Sequence, residues 1–595
     1  MAYIHRNSGF PKPKTWGIGL LALACASLSQ AQSACPAPVA SDFHVVDLTM
    51  TGLTTPSDME LAPDGRIFIS DIYTGELKIF RDGGTPRLAT AGKLTVANNN
   101  EHGFVGFVLD PDFAANGWIY IRFSPRGSAV DDEVARFKMS GDVLDVNSKK
   151  TLLKIPKETN AHLGAGMAFD VHGNLLISTG CDTSPQSNSG YGAFDTRTLN
   201  RDGGRSAANT MDFRGKILRI KPIPFPDSQT PAPGIGTTYQ IPAGNFWETI
   251  EATMPGTNMA LVLKEIYAMG FRNPYRISVK PNSDWVYSAE VGPDANSDNA
   301  SRGRAGHDEI NLTKPGGGFY GWPYCNGDNY PYNKVDYSGG GQVYLSEKFD
   351  CANLVNDSPN NKGISKLPPA KAPIVWYANS NKTDFQELGT GQETGMVGPF
   401  YQYSAASSST VKFPPYYHGK MLFWDWARKF HGMVSLDSLG GAAKIESIPV
   451  GSHTWGSDIE MIFGANGALY GLQWSQNGYS GGAKSFYKIE YRGPLNEGAC
   501  AVHLNRRPQA SRRERLLPVM MGASSFQLPA GASGADIFTW DGRKIGSYTR
   551  IGNPNLEERV DLPKGAGFQM MRIRLRWESL AWTTCPLFRW EPTLP

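Results

Sequence analysis

Through the body of the chain, apolar positions alternate over a few residues, break at a turn rich in Pro, Asp, Asn or Gly, and then resume. Five segments share this shape: Met59 to Ile69 (MELAPDGRIFI), Phe107 to Phe113 running on to Trp118–Ile121, Met167 to Ile177, Ile277 to Tyr287, and Ile459 to Tyr470. Period-2 alternation on both sides of such a turn predicts a β-hairpin in each case. A sixth hairpin is expected near Gly419–Trp424. Helical 3.6-residue periodicity is weak throughout. One hairpin cannot bury its own apolar face, but a ring of four-stranded blades can. Hairpins recurring at irregular intervals of about 50 residues or more therefore predict a β-propeller with insertions in its loops, with a β-sandwich as the alternative.

The pattern changes after Cys500. Arg506, Arg507, Arg512, Arg513 and Arg515 read as a solvated linker over 501–525. Beyond it, Ile537–Trp540, the Asp541-Gly-Arg turn and Lys544–Tyr548 predict a tight hairpin, and Phe568–Leu575 one more strand. Residues 526–595 are expected to form a small C-terminal β-sandwich module, similar to the C-terminal sorting modules of some secreted bacterial proteins. The segment from Trp577 to Pro595 does not continue that pattern.

Composition narrows the class. The 595 residues are 40% hydrophobic and only 19% charged, which excludes a disordered chain. The 66 glycines and 41 prolines favour short strands and many turns. A net charge of +3 with scattered basic residues gives no footprint for nucleic acid.

At the N-terminus, Lys12 and Lys14 precede a short apolar run from Gly17 to Ala26, and Ser29-Gln30-Ala31 offers a cleavage site. Residues 1–31 thus read as an export signal too short to span a bilayer, with a lipoprotein acylated at Cys25 as the second reading. No later stretch is apolar enough to be transmembrane. An exported chain meets an oxidising compartment, so disulfides are expected. Cys325 and Cys351 flank one Gly/Asn-rich loop, and Cys35 and Cys500 stand at the two ends of the main body (domain 35–500). These are the expected pairs, and Cys181 and Cys585 are left unassigned. No CxxC or CxxCH motif occurs, which argues against a zinc ribbon and a covalent haem.

Chemistry concentrates in Met269–Tyr324. This span holds an Arg272-Asn273-Pro274 turn, a strand, Glu290-Val-Gly292-Pro293, and the acidic pair Asp308-Glu309. Fixed cations, free carbonyls and carboxylates at a strand end suit an anionic cofactor and a hard metal ion. Read alone, each of these residues, like His162 at the start of its strand, can equally be an ordinary hydrogen-bonding turn residue.

The ordered set of motifs resembles the soluble quinoprotein glucose/sorbosone dehydrogenases over roughly Asp42 to Arg492. The motifs are Glu101-His-Gly-Phe-Val-Gly-Phe with Asp110-Pro-Asp-Phe113, His162-Leu-Gly-Ala-Gly-Met-Ala-Phe, and Arg214-Gly-Lys-Ile-Leu-Arg219. They continue with Gly270-Phe-Arg-Asn-Pro274, Glu290-Val-Gly-Pro293 with Asp308-Glu-Ile-Asn311, and Tyr320-Gly-Trp-Pro323. The resemblance implies an all-β, six-bladed propeller and an exported sugar (aldose) dehydrogenase using pyrroloquinoline quinone (PQQ) and Ca²⁺. Such an enzyme passes electrons to a soluble or respiratory acceptor.

By the same resemblance His162 is the catalytic base, its neutral imidazole suited to taking a hydroxyl proton near working pH. Arg272 pairs with a cofactor oxygen or carboxylate and Asn273 adds a neutral hydrogen bond. Gly292 and Pro293 lend carbonyls to the metal, and Asp308 and Glu309 support that loop or bind a second ion. Glu101 contacts sugar or cofactor; Asp182 orients the sugar or His162, or serves its turn. Arg428 matches one late basic residue of the family. Ser452-His-Thr-Trp-Gly-Ser-Asp458 carries no arginine where the family has more, and Trp455 is offered there as a stacking surface for the quinone. Those missing cations keep a second class open: a carbohydrate- or protein-binding propeller without redox chemistry.

Overall fold

The computed structural model describes residues 35–500 apart from 50, 84–85, 128–130, 160, 186, 379–384 and 475–484, together with strand segments between 516 and 577. The export signal, Cys25, the arginine cluster, Cys585 and residues 578–595 lie outside the described residues.

Six blades form a β-propeller: five are four-stranded antiparallel sheets, and the sheet of blade 3 extends to six strands, one pair of them parallel. Blade 1 is built from Pro56–Leu61, Ile67–Asp71, Glu76–Arg81 and Arg87–Lys93, and blade 2 starts at Phe104–Leu109 and Trp118–Phe123. Blade 3 starts at Met167–Phe169 and Leu175–Thr179, and blade 4 at Pro274–Val279 and Val286–Glu290. Blade 5 starts at Gly395–Phe400 and Met421–Asp425. Blade 6 combines Asp458–Phe463, Leu469–Gln473 and Ser485–Tyr491 with the N-terminal strand Phe43–Asp47, so the two ends of the body close the ring together.

The five hairpins read from the sequence are the first two strands of blades 1, 2, 3, 4 and 6. Their turns explain them. In blade 1 Ala62 and Arg66 pair across Pro63-Asp64-Gly65, and Gly65 takes a φ of 86° that a side chain would strain. The sixth expectation needs correction. Gly419–Trp424 is not a hairpin of its own: Met421–Asp425 is the second strand of blade 5, paired with Gly395–Phe400 across an insertion of residues 401–420.

The cores lie between blades. Phe68, Phe107 and Ile121 pack blades 1 and 2 together, while Leu218, Ile177 and Val134 pack blades 2 and 3. Trp424, fully buried, joins blade 5 to blade 6 and donates from Nε1 to Asp458 O at 2.8 Å. At the ring's axis Arg276 of blade 4 reaches Ser57 O of blade 1 (2.5 Å), Ile459 O of blade 6 (3.1 Å) and Glu460 Oε2 (2.6 Å). One guanidinium thus ties three blades.

Both expected disulfides are present. Cys35–Cys500 joins residues 465 apart in sequence with a Cα–Cα distance of 4.5 Å, and Cys325–Cys351 closes the blade 4 insertion. Cys181 is a buried free thiol. Past the propeller, Leu516–Val519, Met571–Trp577, Ala532–Thr539 and Lys544–Thr549 make one sheet, and Ser525–Leu528 pairs with Glu558–Asp561.

Candidate active site

Two cavities open on the propeller axis, one at each end of the innermost strands. One, of about 380 Å³, is lined by later residues of those strands, among them Glu60, Phe169, Val279 and Ile462. The other, of about 490 Å³, is lined mainly by residues that enter the inner strands or leave the second ones. His162 precedes the inner strand of blade 3, Arg272 and Asn273 that of blade 4, and Glu101 that of blade 2. The propeller thus brings four residues from three distant segments to one wall.

His162 is held in a left-handed backbone conformation, φ 59°, and is buried. Its loop is fixed from both sides. Glu101 accepts from His162 N (Oε1, 3.0 Å) and Leu163 N (Oε2, 2.8 Å), and Asn273 Oδ1 accepts from Gly164 N at 2.8 Å. Burial, aided by the Arg272 guanidinium, holds the imidazole well below its ordinary range, against a hydrogen bond to the Thr183 main chain. His162 is therefore neutral at physiological pH and able to accept a proton.

Arg272 is aimed by Val291 O (Nη1, 3.1 Å) and Asp294 Oδ1 (Nη2, 3.1 Å), and its own amide donates to Glu290. It is the cation among the described residues lining the cavity, and the carboxylates of Glu101 and Asp294 share the wall with it.

The other sequence candidates sit elsewhere. Asp182 does not line the cavity: it is 1% exposed and accepts from Glu158 N (2.9 Å), Thr159 N (2.8 Å) and Arg214 Nη1 (2.9 Å). Of its possible roles, the structure supports holding the loop that leads to His162. Arg428 also faces away, its guanidinium donating to the carbonyls of Ala378, Gly389, Gly391 and Gln392. Trp455 stacks on His431 with centroids 4.1 Å apart and planes 10° apart, not on the cavity.

Asp308 and Glu309 are buried acceptors. Asp308 takes Gly292 N (2.6 Å) and Gly395 N (2.5 Å), and Glu309 takes Gly327 N (2.6 Å), Asn326 and Asn311. Burial is the main cause that raises them to about 7 and about 8. Asp308 thus holds the Gly292 loop, whereas Glu309 is engaged by residues 311 and 326–327 instead. Gly292 packs so tightly that a Cβ on it would stand 1.9 Å from His307 O, and Pro293 O lies against Gly306. Among the described residues, no three His, Cys, Asp or Glu are grouped to hold a metal.

The sequence reading missed Trp426, Trp474 and Tyr275, which give the cavity its aromatic walls. A signal for two of them exists. Ile72, Val291, Trp426 and Trp474 each follow the last residue of a blade's second strand, so the same position in blades 1, 4, 5 and 6 faces the axis.

The description glucose/sorbosone dehydrogenase belongs to a family model that matches residues 53–342. An aldose sugar dehydrogenase, YliI, of Escherichia coli (strain K12) is 25% identical over 376 residues, covering 62% of this chain and 81% of that protein. Quinoprotein glucose dehydrogenase B of Acinetobacter calcoaceticus is 24% identical over 435 residues, 69% of this chain and 79% of that one. Among solved structures, the PQQ-bound aldose sugar dehydrogenase of Streptomyces coelicolor aligns over 76% of this chain and 99% of its own, with 20% identity and a TM-score of 0.45.

Proposed function

We infer that this chain, which belongs through residues 53–342 to the glucose/sorbosone dehydrogenase family, is a PQQ-dependent sugar dehydrogenase. The observation that carries the reading is the placement of a neutral imidazole, His162, and a fixed guanidinium, Arg272, on one wall of an aromatic-lined axial cavity.

The residues present fit a planar, acidic quinone. Trp426, Trp474 and Tyr275 offer flat faces, Arg272 offers a charged fork, and about 490 Å³ holds such a ring system with room beside it. When bound, the quinone supplies the acceptor for a hydride from the sugar carbon. The protein's part is to place and deprotonate the sugar. His162 takes the hydroxyl proton as the hydride leaves the same carbon, which its neutral state permits. Arg272 stabilises negative charge developing opposite it. Glu101 and Asn273 keep the His162 loop in register, and the aromatic walls exclude water.

Calcium, implied at the Gly292 and Pro293 carbonyls, gains no carboxylate from Asp308 or Glu309, both occupied by amides, so no step is derived through it. Export through the N-terminal signal, and a C-terminal module for surface attachment or sorting, complete the proposal. A chain ending near Arg507 is expected to keep the activity.

The test is titration of the metal-stripped, signal-free protein with PQQ and Ca²⁺, followed by absorbance and then by dye reduction with a panel of aldoses. Stoichiometric binding and sugar-dependent bleaching support the dehydrogenase. Absence of binding at micromolar quinone would instead favour a recognition propeller, in which one cavity cation is too few for a tricarboxylate.

A further inference from the structure

Behind His162 lies a residue that the reading above does not use. Cys181 Sγ stands 3.9 Å from His162 Nδ1. The thiol is fully buried and its position is fixed on all sides. Its amide donates to Arg272 O (2.7 Å), its carbonyl accepts from Ser206 Oγ (2.7 Å), and Sγ meets Thr183 Oγ1 at 2.9 Å. The two backbones run against each other. Asp182 N donates to His162 O (3.2 Å), and a Cβ on Gly180 would stand 1.9 Å from that same oxygen. Position 180 therefore tolerates only glycine, and the Cys181–His162 spacing has little freedom.

A base of this kind needs its second nitrogen engaged, because that contact sets the tautomer and the ring plane. A carboxylate would do this and also raise the imidazole's proton affinity. Here the Thr183 main chain hydrogen-bonds the ring as well, and the charged groups around it are committed to other tasks. Glu101 accepts from the His162 and Leu163 amides, Asp294 pairs with Arg272, and Asp182 accepts from residues 158–159 and Arg214. Arg272 faces the ring as a cation, and Tyr275 shares the cavity.

We propose that Cys181 is a positioning partner of His162, its neutral thiol packing against Nδ1 beside the Thr183 main chain so that Nε2 faces the cavity without a carboxylate behind the ring. Burial that disfavours the thiolate is consistent with this. The consequence is a base that stays deprotonated into the acid range. The proposal rests on the dehydrogenase reading for its kinetic part only.

The test uses the full chain without cofactor, labelled at histidine, with the His162 signal identified by its loss in His162→Gln. In the parent protein the signal is expected to titrate below 6.5, the ordinary imidazole value. In Cys181→Asp the midpoint is expected to rise by about one pH unit or more, and in Cys181→Ser to stay near the parent's. In turnover, Cys181→Ala is expected to lower kcat on the order of tenfold with KM little changed, and Cys181→Ser to restore most of it. An Asp variant that leaves the midpoint in place, or an Ala variant with parental kcat, overturns the proposal. If no aldose is turned over by any form, the dehydrogenase reading fails and the titration still decides the contact.

Discussion

Glu101 is the residue on which two readings of this site diverge most sharply. If it anchors the His162 loop, removing its carboxylate destabilises the protein before any sugar is added. Its two oxygens accept from His162 N at 3.0 Å and Leu163 N at 2.8 Å, in a position 7% exposed. Hydrogen bonds to a charged acceptor are worth about 1.5–3 kcal/mol each, and a buried donor left unpaired costs about 1–3 kcal/mol. Glu101→Gln keeps one acceptor and turns an NH₂ group toward the other amide, so about 2–3 kcal/mol is expected to be lost. Glu101→Ala leaves both amides unpaired and should cost about 3–5 kcal/mol. The assay is urea unfolding of the cofactor-free protein, with the midpoint shifted and the slope unchanged. Activity should fall in kcat more than in KM, because the base is displaced while the sugar's other contacts stay. An Ala variant within about 0.5 kcal/mol of the parent, with KM raised and kcat kept, would refute the anchor and make Glu101 a sugar contact.

Three further outcomes are expected. His162 is held below 6.5 when folded and returns to that value on unfolding, so the unfolded chain takes up its proton first. Stability should therefore fall as pH drops below 6.5, by up to about 1.4 kcal/mol per pH unit from this group, and His162→Gln should remove that component from the unfolding curve. Arg276→Met leaves Glu460 and the Ser57 and Ile459 carbonyls without their cation at the axis, and is expected to lower the unfolding free energy by about 3–5 kcal/mol. Replacing Cys35 and Cys500 together by serine opens a link spanning 465 residues and is expected to cost about 4 kcal/mol by chemical denaturation, with the cavity and its ligand affinity unchanged.

How much could be read beforehand depended on how local the signal was. Ala62 to Arg66 forms its turn from five adjacent residues, so the hairpin of blade 1 was visible in the string. The first two strands of blade 5 are separated by residues 401–420, and no local pattern announces a pairing at that distance. The site divides in the same way. His162, Arg272, Asn273 and Glu101 each stand at the mouth of an inner strand, and it is the ordered family motifs, not turn chemistry alone, that single them out. Arg428, Asp182 and Asp308 have the right charges, but their partners are main-chain groups that only the folded ring supplies. Trp426 and Trp474 carry no local turn signal; what marks them is a position shared by blades 1, 4, 5 and 6 of the folded ring. Cys181 escaped because the thiol's neighbour, His162, lies 19 residues away on another segment.

The joint blade 6 has a bearing on how the ring can be engineered. Its outermost strand, Phe43–Asp47, comes from one end of the body and the other three from the opposite end, and Cys35 and Cys500 sit with Cα atoms 4.5 Å apart. A short peptide can bridge that gap, and new ends can be opened between any two blades whose connection is exposed. Such permuted rings would seal at a different seam, and comparing their refolding rates would show which pair of blades assembles first.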